Sequence, residues 1–313
     1  MNYAIVGWVW SAMGFAITCM VNTTNIQEST TSTVNELNNS FHCGAQLPNR
    51  TTLTHDYGGT FQWSEATQSS IIASMLWGGV IFSIPGGWIT DRYGAKSILV
   101  TSNVAILVLS LLTPTTLHYD GPWVLFALRL VFGGFISLTW STMFTISFRW
   151  VPEHEIGILI AVAAAGLPNG QIISMFSSGI LCDSKWRWPF IFYLQGIFSA
   201  AILCLTLMMY TDIPEKAYLI SQKEVDYIFL SRAVIKSNIE STVPWRNILT
   251  SPQCIAAWLG NFGAGFLITF VLAYIPSYFK EVLFLDVRSN GFFSSIPLVA
   301  NSVFRLGAGF LKL

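Results

Sequence analysis

Eight long apolar stretches separated by polar connections organise the chain. They run from Tyr3 to Val21, Ile71 to Ile89, Ile98 to Leu112, Trp123 to Phe148, Ile156 to Leu181, Phe190 to Tyr210, Cys254 to Tyr274 and Gly291 to Phe310. A helix rising 1.5 Å per residue crosses the hydrocarbon core of a bilayer in about 20 residues, so each stretch predicts a transmembrane span. The first lies where a secretory leader would lie. It lacks a basic n-region, however, and runs through Trp8, Trp10, Met13 and Phe15 with no clean small-residue cleavage site, so it reads as a retained helix. The expected class is an all-α, polytopic membrane protein with about eight spans.

Two connections are long. Residues 22–70 are rich in Asn, Thr and Ser and hold the sequons at Asn22, Asn38 and Asn49, which occur in no other connection. Asn22 lies too near the bilayer, leaving Asn38 and Asn49 as glycosylation candidates on a luminal or extracellular loop. Residues 211–252 mix Lys216, Lys223, Arg232, Lys236 and Arg246 with a matching set of acids and read as a cytoplasmic loop. The positive-inside bias agrees modestly, placing Arg92, Lys96 and Arg149 on the same side. The expected organisation is a six-helix bundle over 1–210, a central cytoplasmic loop over 211–252, and two helices of a second bundle over 253–313.

Composition strengthens the membrane reading and removes alternatives. Hydrophobic residues make up 53% and charged residues 10% of the chain, and mean hydropathy is +0.56, outside the soluble range. Sixteen basic residues balance sixteen acidic ones, leaving no excess to attract nucleic acid. The five cysteines show no metal spacing and mostly sit in apolar runs, where they read as core residues. Cys43 stands in the polar loop, where a bond to Cys182 is an option if both face an oxidising compartment. His154-Glu155 lacks the second His of a zinc motif, Gly94-Ala-Lys96-Ser97 lacks phosphate-loop spacing, and no GxSxG occurs, so no enzyme chemistry, metal or cofactor is indicated.

Between the second and third spans lies Gly87-Trp-Ile-Thr-Asp91-Arg92-Tyr-Gly94-Ala-Lys96. It resembles the cytoplasmic G-x-L-A-D-R-x-G-R-K signature of the major facilitator superfamily, which argues against a heptahelical receptor. In this reading Gly87 lets neighbouring helices approach and Gly94 makes a tight turn. Asp91 and Arg92 bond to helix ends and to the opposite bundle, as a latch on one access state. Arg129 lies inside the fourth span, four residues before Gly133, also as in that superfamily. A charge at mid-bilayer costs about 2.5–3.5 kcal/mol, so Arg129 is either a functional residue or one whose long stem reaches the interface. In the fifth span, Gly166-Leu-Pro168-Asn169-Gly170-Gln171 interrupts the apolar run. Asn169 and Gln171 face a polar cavity or, slightly favoured, bond between helices; Asn261 in the seventh span carries the same ambiguity.

Several further blocks resemble the anion:cation symporter family that contains sialin, the vesicular glutamate transporters and the type I sodium-phosphate cotransporters. They include Ile84-Pro85-Gly86-Gly87-Trp88, Arg187-Trp-Pro-Phe190-Ile-Phe-Tyr193, Tyr274-Ile-Pro276-Ser-Tyr278-Phe-Lys280-Glu281 and Asn290-Gly-Phe-Phe-Ser-Ser-Ile-Pro297. The resemblance implies a multi-pass protein of the plasma membrane or of vesicular or lysosomal membranes. It also implies movement of small organic anions or phosphate, driven by a sodium, proton or voltage gradient. The departures are chemical. Trp10 stands where the family has an Arg, and Phe132, Ile136 and Phe144 stand where it carries two Glu and a His. At that spacing they share roughly one helix face, which is then apolar rather than titratable. Relatives have twelve helices, so the resemblance also implies that this chain is truncated and that its own transport is doubtful. The competing expectation is a non-transporting relative that keeps the fold without the coupling charges.

Overall fold

A computed structural model describes residues 1–21, 57, 59–119, 121–151, 155–211 and 245–310, with a few positions between 221 and 227. Asn38, Asn49, Cys43 and most charges of the 211–252 connection lie outside the described residues. The described chain folds into nine helices: α1 (Asn2–Met20), α2 (Glu65–Tyr93), α3 (Ala95–Tyr119), α4 (Pro122–Trp150), α5 (Ile156–Asp183), α6 (Pro189–Met209), the short α7 (Trp245–Thr250), α8 (Pro252–Glu281) and α9 (Val287–Phe310). Seven of them, α1–α6 and α8, are long and apolar enough to cross a membrane. The eighth expected span is helical, as α9, yet falls outside those seven; Arg288, Asn290, Ser294, Ser295, Asn301, Ser302 and Arg305 make it the most polar of the long helices.

Helices outrun the apolar stretches because their polar ends extend beyond the hydrocarbon. α2 begins six residues before Ile71, where Ser64 caps it by accepting from Thr67 N at 3.3 Å. Proline sits at the first helical position of α4, α6 and α8, where a missing N–H costs nothing. Gly94, with φ of +85°, turns the chain between α2 and α3, as the signature spacing implies. Asp286 opens α9 by accepting from Ser289 N at 3.2 Å; the Ser289 hydroxyl first, and this backbone N–H second, hold its carboxyl below the usual range.

Lipid tails give helices no hydrophobic reason to associate, so packing rests on close backbone approach and interhelical polar bonds. Gly78 and Gly133 let α2 and α4 touch backbone to backbone: a methyl on either would run into the Leu130 or Met75 carbonyl. α1 is buried almost throughout, between α5, α6, α8 and the α2–α4 pair. At its start, Asn2 accepts from Asn103 Nδ2 at 2.9 Å, joining α1 to α3. At its other end Cys19 is bonded to Cys182 of α5. That bond replaces the Cys43–Cys182 option: the ends of α1 and α5 lie side by side, so a cysteine read as apolar core is the partner.

Alternating helix direction defines two sides. The Gly94 turn marks the signature side; the ends of α1 and α5 and the start of α2 mark the opposite, loop side.

Candidate functional site

Arg129 is the eighth residue of α4 and only 1% exposed. This excludes the alternative of a side chain reaching the interface: the guanidinium turns into the protein, toward α1. Its Nη1 donates to Val9 O at 3.5 Å, a long bond, while Nε and Nη2 have no hydrogen-bond partner among the described residues. The rings of Phe132 and Phe192 lie 5.3 and 5.7 Å from its Cζ. A guanidinium has five N–H donors, and cation–π contacts of this kind offset only part of the cost of burying it. Hydrogen-bond donors of the buried guanidinium are thus left unmet among the described residues.

Two cavities adjoin. One of about 20 Å³, room for one water, is lined by Arg129, Trp10, Met13, Gly14, Met75 and Thr269 among others. The second, about 320 Å³, is lined by Trp10, Met75, Leu76, Ser137, Ile136 and Trp140 among others. Trp10, Met75 and Leu76 belong to both linings, so these three side chains stand between the larger chamber and the cation.

The other sequence candidates do not join Arg129. Asn169 accepts from Ser302 Oγ at 2.8 Å, holding α5 to α9, which is the interhelical role. Gln171 is 1% exposed and lies against Gly7 of α1, with no partner for its Nε2. Asn261 is exposed and donates to Ala257 O of its own helix at 2.8 Å. None of the three lines either cavity. Of the positions apolar here and charged or titratable in the resembling family, Trp10 and Ile136 line cavities and Phe132 packs on Arg129. Phe144 is 45% exposed and stacks on Trp140, which lines the larger cavity with Ile136.

Two expectations for the signature find no contact among the described residues. A methyl at Gly87 would meet nothing there within 4 Å, whereas Gly78, more than two turns earlier, makes the close approach to α4. Arg92 turns back over Trp88 and Tyr93 of its own helix, at 5.2 and 6.0 Å. Asp91 is exposed and Lys96 half-buried.

Sequence reasoning missed Lys280. Named above only within a block of family resemblance, it is 4% exposed in the last turns of α8 and donates to Thr18 O at 2.8 Å. The signal was its setting: apolar and aromatic residues continue past Tyr274 through Ile275, Tyr278 and Phe279, so the helix does not end at the last long apolar run. Beside it, burial pushes the Tyr57 phenol above its usual range, against a smaller opposing effect of the Asn290 hydrogen bond.

Comparison with known proteins places these features in context. The family model described as Major Facilitator Superfamily matches residues 1–312. The chain is 28% identical over 319 residues to “Uncharacterized transporter slc-17.3” of Caenorhabditis elegans, covering 95% of this chain and 59% of the relative. It is 29% identical to “Sodium-dependent phosphate transport protein 3” of Mus musculus, covering 93% and 60%. It is 32% identical to “Sialin” of Homo sapiens, covering 78% and 49%. The chain thus spans about half to three-fifths of the length of these relatives.

Proposed function

The chain belongs to the Major Facilitator Superfamily and is an integral multi-pass membrane protein; from that premise we propose that it is a transporter of small organic anions or inorganic phosphate with Arg129 as the anion seat. The observation that carries this reading is the buried guanidinium with two unpartnered nitrogens beside a cavity. A carboxylate or phosphate oxygen supplies the missing acceptors, and a planar guanidinium accepts either in bidentate fashion. The solute enters the larger chamber and displaces Trp10, Met75 and Leu76 to reach Arg129. Methionine is the most adaptable of the three.

Neither cavity is lined by a carboxylate or histidine. The anion therefore moves without a proton partner in this half of the path, and membrane voltage is the favoured driving force over sodium or protons. One charge crossing 100 mV gains about 2.3 kcal/mol, roughly a 50-fold concentration ratio. The signature side is cytoplasmic, and the loop side, with glycans on Asn38 or Asn49, is luminal or extracellular. Residues 1–210 form one bundle, and α8 and α9 begin a second across the 211–252 connection. The membrane is the plasma membrane or a vesicular or lysosomal one.

The test is uptake of phosphate or glutamate by proteoliposomes under an imposed voltage. Saturable, voltage-dependent uptake that falls at least 100-fold in Arg129→Gln is expected; uptake unaffected by that change would defeat the assignment. The apolar residues at Trp10, Phe132 and Ile136 favour a second reading, a non-transporting relative, for which no voltage-dependent uptake would be seen at all.

A further inference from the structure

We propose that Lys280, clamped by the carbonyl end of α1 beneath Tyr57, is the gate that closes the path between Arg129 and the loop side; this rests on the transporter reading above. The last carbonyls of a helix lack intrahelical donors and carry the negative end of its dipole. At the end of α1 Met20 O accepts from the backbone N–H groups of Thr60 and Phe61, and Lys280 Nζ donates to Thr18 O at 2.8 Å and to the carbonyl of the capping Val21 at 3.4 Å. The Tyr57 ring covers it at 5.0 Å. Tyr57 in turn donates to Leu285 O at 2.6 Å and accepts from Asn290 Nδ2 at 3.2 Å, and Asn290 also donates to Pro276 O at 2.8 Å. One cation thus ties α1, the approach to α2, the end of α8 and the start of α9.

The position fits a gate. Arg129 bonds to Val9 O and Lys280 to Thr18 O, nine residues further along α1, about 13 Å at 1.5 Å per residue. Along α8 the buried residues are Leu272, Ala273, Pro276 and Lys280, all in its loop-side half. Its contact with α1 opens where Gly14 meets the Leu272 backbone and ends at the ammonium. On the signature side a methyl on Gly260, Gly263 or Gly265 of α8 would meet no described atom within 4 Å. Among the described residues the joint is thus tightest at its loop-side end, and its polar bonds are reversible, unlike the Cys19–Cys182 bond that ties α1 to α5. Releasing Lys280 from the two carbonyls lets α8 swing from α1 and opens the loop side.

Thr269→Cys, a reporter thiol in the lining of the Arg129 cavity, tests this in the full chain with Cys43→Ser, Cys204→Ser and Cys254→Ser. A membrane-impermeant sulfonated maleimide is confined to the side that reaches a tag inserted in residues 22–56. Labelling should be slow with Lys280 present, at least fivefold faster in Lys280→Met, and slow again in Lys280→Arg. Asn290→Ala, which leaves the ammonium in place, should accelerate it at least twofold and serves if Lys280→Met does not fold. Native-rate labelling in the folded Lys280 or Asn290 variant overturns the gate. Voltage-driven uptake is recorded in the same vesicles: uptake with unchanged labelling rejects the gate alone, and accelerated labelling without uptake rejects transport alone.

Discussion

Two buried cations flank α1, and they are satisfied in opposite ways. Arg129 has one long bond to Val9 O and two nitrogens without partners. Lys280 has two carbonyls at the end of a helix and an aromatic ring above it. Burial alone therefore does not identify a binding site; the unmet hydrogen-bonding capacity does. A cation whose donors are met by the protein holds the protein together, and one left short is available to something else.

The widest split should come from removing each charge. Lys280→Met strands the Thr18 and Val21 carbonyls and should destabilise by about 3 kcal/mol, whereas Arg129→Met removes an uncompensated charge and should stabilise by about 1–4 kcal/mol. Thermal midpoints in detergent, without added anion, should fall for the first and rise for the second; equal shifts would erase the distinction. Next in size is the backbone contact that fixes α4 beside α2. Gly133→Ala pushes a methyl into the Met75 carbonyl and should cost about 2 kcal/mol, whereas Gly87→Ala, in open space, should be neutral to about 1 kcal/mol stabilising. The same thermal scan reads both. The smallest effect belongs to Asn169→Ala, which breaks the bond to Ser302 and should cost about 1 kcal/mol while leaving the anion affinity of Arg129 unchanged. A tenfold weaker apparent affinity in uptake would return Asn169 to the site.

The helices and the Gly94 turn were legible in the sequence because both depend on local facts: the length of an apolar run and a backbone conformation suited to glycine. Arg129 was visible as a charge out of place. Whether it snorkels or turns inward depends on where α1 lies, and no local pattern states that. Gly87 and Gly78 look alike along the chain; only the helix face turned toward α4 tells them apart. Cys19 read as core because it is apolar in setting, and its partner became evident only when the ends of α1 and α5 were adjacent. Lys280 was hidden by the habit of assigning a Lys near a helix end to water, when the end of another helix was there to receive it. The polar loop with Asn38 and Asn49 lies outside the described residues, so its sidedness still rests on sequons and charge bias.

α1 is wrapped by other helices, yet it is as apolar as one that faces lipid. During synthesis it emerges before those neighbours and enters the bilayer without them. The hydroxyls of Ser11, at mid-helix, and Thr18, in the last turn, are already satisfied within the helix: Ser11 donates to Gly7 O at 3.1 Å and Thr18 to Phe15 O at 2.7 Å. An isolated α1 thus leaves neither hydroxyl bare in hydrocarbon, where an unmet donor costs several kcal/mol. The helix that becomes the axis of the folded protein is composed for a solvent it occupies only in its first moments. Its greasy surface serves the insertion machinery, and the finished bundle inherits it as an interior.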